Sequence, residues 1–420
     1  MKFHKRVVVT GMGAVTPVGI GIYSYWKGLI SGTSGADKIT RFDASKFKTR
    51  FACEVKGFDV QNYLDKKESR RMDLFCHFGV AAATEAVQDA GLENLDKIPS
   101  IDPFRVGIVM GSGIGGLETF IKEVSDYAKG DGTPRFNPFF IPKMIIDILP
   151  GHVSMRYGFR GPNYSCVSAC ATSSNCIADA FLLIQSGLAD IIITGGAEAA
   201  INEAGVGGFN AMHALSERND DPKTASRPFD LDRDGFVLGE GAGCIVLESL
   251  ESALKRDAKI YAELIGIGLT ADAHHLTEPD PESKGVIAVM KNVLNSAGCS
   301  ISDIDHINVH GTSTPKGDIA ETNAIQVVFG DHAKNISICS TKSMTGHLLG
   351  AAGVIEAIAT ILAVKNDIIP PTINHFTDDP QCNLDYTFHH PKNRTVNFAI
   401  SNTFGFGGHN SSLLFKKYSS

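Results

Sequence analysis

Short apolar runs recur along the chain, most of them closed by glycine and followed by alanine-rich stretches with helical spacing. Residues 6–13 read as a buried-type strand that ends in a glycine turn. Residues 105–110, 190–194, 244–247, 260–267 and 307–309 are further strand-length runs. Between the first two lies an alanine-rich helix over residues 72–90. Residues 164–168 predict a short strand that turns into a helix beginning near Cys170, continued by Ile177, Ala180, Phe181 and Ile184. The alternation is that of βαβ units, with parallel sheets and helices on their faces. It starts afresh near residue 258 and divides the chain into residues 1–257 and 258–420. Identity between these halves is too low to establish a duplication.

Ligands of open α/β sheets bind beyond the carboxyl ends of the strands, and four such ends here carry reactive or small residues. The first is Asn163-Tyr164-Ser165-Cys166-Val167-Ser168-Ala169-Cys170-Ala171-Thr172-Ser173. A cysteine at a helix start meets the positive end of the peptide dipoles, which favours the thiolate. A free cysteine is also a common small core residue, and this stretch alone leaves both readings open. The others are His310-Gly311-Thr312-Ser313-Thr314, Lys342-Ser343-Met344-Thr345-Gly346-His347 and Phe404-Gly405-Phe406-Gly407-Gly408-His409. The remaining glycine motifs are weaker. Gly11-x-Gly13 lacks the third glycine and the acid of a dinucleotide site, and residues 111–116 lack the lysine of a phosphate loop. The acidic segment 226–236 is interleaved with arginines, so internal salt bridges are expected there rather than calcium. The basic run 66–71 fits either a solvated helix start or a dock for an acidic partner.

Composition narrows the class. The 420 residues carry a net charge of −7 and no basic tail, which argues against nucleic-acid binding. Nine cysteines, odd in number and without C-x-x-C, fit neither a disulfide framework nor a zinc site. A reducing compartment is expected: cytoplasm, or the interior of an organelle after processing. The N-terminus runs straight into the first strand, so no targeting segment is expected. No uncharged apolar run is long enough to span a membrane.

The four motifs, in this order and over nearly the whole chain, resemble those of the β-ketoacyl-acyl-carrier-protein synthases, most of all the elongating type II form. The resemblance implies a thiolase-like α/β fold of two similar halves in a five-layer αβαβα arrangement, an intimate homodimer, and acyl-carrier protein as partner. It implies decarboxylative Claisen condensation without cofactor or metal. Cys170 then carries the acyl chain, and His310 and His347 stabilise the enolate. The N–H groups of Cys170 and Phe406 form the other oxyanion hole, with Phe406 also as gate. Lys342 and Glu321 hold charge and orientation. Thr277, Thr312 and Thr314 match pantetheine contacts. Ile114 and Phe140 match the acyl pocket, Phe140 from the other subunit. Arg70, Arg71 and Arg135 suit an acidic carrier, although His213 replaces a common docking arginine. A thiolase would need a second active-loop cysteine near the C-terminus, and Cys382 is not in such a loop. A non-catalytic chain-length factor would lack Cys170. A papain-like hydrolase would lack Lys342 and the second histidine. A specialised polyketide pathway is the alternative setting.

Overall fold

The computed structural model describes residues 5–419. Residues 1–4, expected to lead straight into the first strand, lie outside the described residues. Five strands of the main sheet's continuous path come from the first half: β1 (Val7–Thr16), β2 (Val106–Gly111), β3 (Asn163–Tyr164), β4 (Ile191–Glu198) and β5 (Gly241–Ser249). Five come from the second: β6 (Ala262–Ala271), β7 (His306–Asn308), β8 (Ser337–Cys339), β9 (Phe398–Gly405) and β10 (His409–Lys416).

The first set lies in the order β1-β5-β4-β2-β3 and the second in the order β6-β10-β9-β7-β8. Each strand of one half therefore has its counterpart five places later. The pairing sense agrees as well. β5 is antiparallel to β1 and β4, and β10 to β6 and β9. β2 is parallel to β3 and β4, and β7 to β8 and β9. An antiparallel contact between β1 and β6 joins the two sets. The same topology twice is the structural mark of duplication that residue identity does not show.

Six helices complete the layers: α1 (Leu74–Asp89), α2 (Ile148–Tyr157), α3 (Thr172–Gln185), α4 (Lys284–Ala297), α5 (Pro315–Phe329) and α6 (Ala352–Asn366). α1 and α2 cover the outer face of the first sheet, and α4 and α5 that of the second. α3 and α6 pack together between the sheets. The result is the five-layer αβαβα arrangement of the thiolase-like fold. The stretch Leu349–Asn366 would cross a membrane by length and composition, but here it is the buried central helix.

Two expectations need correction. The sheets are mixed, not parallel throughout. β9 and β10 are joined by only three residues, too few for the crossover that parallel strands require. Further, β1 does not stop at its glycines but continues through them to Thr16. α1 presses so close that a Cβ on Gly11 would stand 2.3 Å from the Ala86 carbonyl oxygen, and one on Gly13 2.0 Å from that of Ala82. These glycines serve helix–sheet contact rather than a turn. Gly13→Ala is accordingly expected to cost on the order of 3 kcal/mol, read as a lower melting temperature by calorimetry. Gly151→Ala in α2, where a Cβ meets nothing within 4 Å, is expected to be neutral or slightly stabilising. An unchanged melt for Gly13→Ala would mean that α1 can retreat.

Candidate active site

The nucleophile candidate sits at the junction of β3 and α3. Only Asn163–Tyr164 is strand; Ala169–Ala171 is a single 3₁₀ turn, and α3 begins two residues after Cys170. Ala169 is left-handed at φ 50°, an unusual conformation for alanine that sets the turn. The second half repeats the device. Leu349–Ala351 is again a 3₁₀ turn, Leu349 has φ 48°, and α6 follows.

The thiol does not behave as the helix-start argument predicts. Cys170 is buried, and burial pushes its pKa up to about 12. The N–H groups of Phe406 and of Cys170 itself, together with the Lys342 ammonium, oppose that shift without overcoming it. The resting sulfur is a neutral thiol, because loss of water outweighs the local dipoles. The same N–H groups are where an oxyanion beside the sulfur would find its donors.

His310 and His347 lie with ring centroids 5.3 Å apart and planes 89° apart. Burial first, and the nearby Lys342 second, hold both imidazoles well below the ordinary histidine range, so both are neutral. The Nδ1 of His347 has no hydrogen-bond partner among the described residues. Lys342 Nζ approaches His310 Nδ1 at 3.4 Å and forms an ion pair with Glu356, both buried. Glu321 accepts the backbone N–H groups of His310 at 3.0 Å and Gly311 at 2.9 Å, and the Asn402 amide at 3.3 Å. It thereby fixes the strand end that presents His310. Burial raises Glu321 to about 7, against those donors.

The ion-pair partner of Lys342 is therefore Glu356, not Glu321. Glu356 was missed in the sequence, although its signal is plain in hindsight. It is the one acid within the largely apolar Ala352–Asn366, and a buried carboxylate needs a partner.

Cys170, His310 and His347 open onto one cavity of about 430 Å³. Glu321, Phe406, Thr277, Thr312 and Thr314 also line it, as do Leu349, Phe209 and His213. Thr312 and Thr314 hydroxyls pair at 3.1 Å. The gate segment is tied to the loop carrying Thr277: Gly407 N–H donates to the Leu276 carbonyl at 2.7 Å, and Asp272 N–H to that of Gly408 at 2.9 Å. Lys342 stands behind the histidines, outside the lining. Ile114 and Phe140 are not among the lining residues, and the Phe140 ring stacks on Phe120 and Phe136 instead. Arg70, Arg71 and Arg135 are exposed and away from the cavity. In the segment 226–236 the expected salt bridges are present, with Arg233 on Asp379 at 2.7 Å and Asp318 at 3.6 Å.

A buried thiol, two neutral imidazoles and backbone donors around one thioester-sized cavity, on a duplicated thiolase-like fold, define a condensing enzyme. The family description "Beta-ketoacyl synthase, N-terminal domain" matches residues 4–253, and its C-terminal counterpart matches residues 261–376. The "3-oxoacyl-[acyl-carrier-protein] synthase 2" of Synechocystis sp. is 50% identical over 414 residues, 99% of this chain and 98% of its own. The solved ishigamide ketosynthase/chain length factor superposes with a TM-score of 0.91 at 34% identity, covering 99% of this chain and 100% of its own. A type II polyketide acyl-carrier protein in complex with its ketosynthase bound to a hexaketide gives 0.90 at 32%, covering 99% and 100%. The chain belongs to the β-ketoacyl synthase family.

The raised thiol pKa has a direct readout. Alkylation of Cys170 by iodoacetamide in the free enzyme is expected to accelerate about tenfold per pH unit from neutral into the alkaline range, following the thiolate fraction. A rate that is flat above neutrality would show a resting thiolate.

Proposed function

We propose that this chain lengthens fatty acyl chains by decarboxylative condensation with malonyl-acyl-carrier protein, through an acyl-Cys170 intermediate. The observation that carries the reading is the shared cavity of Cys170, His310 and His347. In the first half-reaction the sulfur attacks the acyl thioester and the carrier thiol leaves. Either neutral imidazole can take up the Cys170 proton and pass it to the departing carrier sulfur, which leaves as the thiol. The N–H groups of Cys170 and Phe406 stabilise the tetrahedral oxyanion. In the second, malonyl loses carbon dioxide and the freed electron pair becomes an enolate. His310 and His347 donate hydrogen bonds to it, which only neutral or protonated imidazoles with an N–H can do. The enolate carbon attacks the acyl carbonyl, Cys170 departs as thiolate, and a proton from solvent restores the resting thiol.

Lys342, paired with Glu356, and Glu321 orient His310. Thr277, Thr312 and Thr314 receive the pantetheine arm, and Phe406 gates the entry. No cofactor or metal takes part in this scheme. Ile114 and the Phe140 of a second copy complete the acyl pocket. A homodimer is supported by β3, a sheet edge, and by the exposed large apolar side chains Ile141, Val167 and Leu182. Acyl-carrier protein as partner is supported by the polyketide ketosynthase complex, and by exposed Arg70, Arg71 and Arg135. The halves 1–257 and 258–420 act as one unit, the first bringing the nucleophile and the second the histidines. A cytoplasmic location and action away from membranes fit nine free cysteines. Service in a polyketide pathway is the second reading, favoured by the structural likenesses, but the 50% identical relative favours chain elongation.

Cys170→Ala is expected to abolish acyl transfer, measured as label retained on the protein. Cys170→Gln places an amide where the acyl carbonyl would be, and malonyl decarboxylation is expected to continue. His310→Ala and His347→Ala are each expected to retain acylation, since one imidazole remains, but to lose condensation about a hundredfold. Labelled acyl chain on Cys170→Ala, or near-normal condensation by the histidine variants, would refute the assignment.

A further inference from the structure

Among the buried acids that the catalytic scheme does not use, Glu198 lies closest to the turn of Cys170 in the duplicated fold. Glu198 ends β4, is fully buried, and has no cationic partner among the described residues. Four donors surround it instead. Oε1 accepts the Ser112 hydroxyl at 2.8 Å and the Ile114 N–H at 3.2 Å. Oε2 accepts the N–H groups of Gly113 at 2.8 Å and Gly350 at 2.9 Å. The Ser112 oxygen also accepts the Gly115 N–H at 3.0 Å. Burial raises the Glu198 pKa, and the four donors oppose that shift by favouring the carboxylate.

Its place in the duplicated fold is informative. Glu198 ends β4 as Gly405 ends β9, and the turn of Gly350 is the counterpart of the turn of Cys170. A Cβ on Gly405 would stand 3.2 Å from the Cys170 nitrogen. In one half, then, the strand end leaves room at the turn where the sulfur lies. In the other, a side chain fills the equivalent place with an anion. That anion clamps two turns that flank Cys170. Gly113 lies against the Ala169 carbonyl oxygen and Gly350 follows Leu349, a cavity residue.

We propose that Glu198 is a positioning residue for the acyl chain: by tying residues 112–114 of the first half to Gly350 of the second, it sets the wall between Ile114 and Leu349 past which long chains must extend. The inference rests on the condensing-enzyme reading above. In Glu198→Gln one oxygen becomes an NH₂ that faces two donors, so one of the two turns is released. Glu198→Asp keeps the charge but shortens the reach.

The test is acylation of Cys170 in the full-length protein, followed by intact mass with acyl thioesters from short to long, beside the pH profile of Cys170 alkylation. Glu198→Gln is expected to keep short-chain acylation near wild type and to lose about tenfold in kcat/KM for long chains. Its alkylation profile is expected to move to lower pH, since the fixed anion near the sulfur is gone. Glu198→Asp is expected to restore the alkylation profile and keep the long-chain loss. Equal losses at every chain length, or an alkylation profile that does not move, would overturn the proposal. If Glu198→Gln does not fold, Ser112→Ala must show a smaller loss confined to long chains, and a uniform effect there overturns it too. Wild-type protein that takes no acyl chain would instead refute the condensing-enzyme reading itself.

Discussion

The architecture turns on two helices that begin inside the molecule. A helix start presents backbone N–H groups that the helix cannot satisfy, and burial makes each unmet donor costly. α3 and α6 both start at the centre, each behind a 3₁₀ turn with a left-handed residue. The Ser173 hydroxyl accepts the Val354 N–H of α6 at 2.9 Å, so the two starts also bond each other. Glu198 satisfies the turn before α6 permanently. The turn before α3 holds Cys170, and in the proposed reaction its donors are left to the thioester and oxyanion. Catalytic capacity is thus placed where one of two equivalent donor sets is left to the reaction.

Burial also decides the charge states. Cys170 and both histidines are neutral because water is excluded. Lys342 lies among them and is compensated by Glu356 from the next turns of chain, which keeps an ammonium within 3.4 Å of an imidazole without protonating it. Removing one partner of such a pair strands the other in a medium that solvates it poorly. The pair is therefore coupled to the histidines electrostatically, although neither member lines the cavity.

Much of the site could be read from the chain because strand ends announce themselves. An apolar run followed by glycine and a reactive residue marks a position, and the resemblance supplied roles. The structure brings Cys170, His310, His347, Phe406 and the three threonines to one cavity. What was not legible depends on contacts distant in sequence. Gly11 and Gly13 look like a turn until Ala82 and Ala86 of α1 are set against them. The antiparallel members of the sheet look parallel until the three-residue link after β9 is counted. Glu356 and Glu198 pass for ordinary acids, because burial is a property of the folded layers rather than of the local string. The thiol was misjudged for the same reason: a helix dipole is local and visible in sequence, whereas desolvation is global and larger.

A neutral resting nucleophile suits this chemistry better than a permanent thiolate. In the proposed scheme the backbone donors around Cys170 gain most when negative charge appears, on the tetrahedral oxygen in one half-reaction and on the departing sulfur in the other. Donors that already held a full thiolate charge would stabilise the ground state as much as the transition state, and only the difference accelerates the reaction. The buried anion of Glu198 acts in the same sense, since it disfavours a standing charge on the sulfur. Neutral His310 and His347 complete the logic of the proposed scheme, in which they take the thiol proton at one stage and donate hydrogen bonds to an enolate at the next, which two imidazoliums could not do in that order.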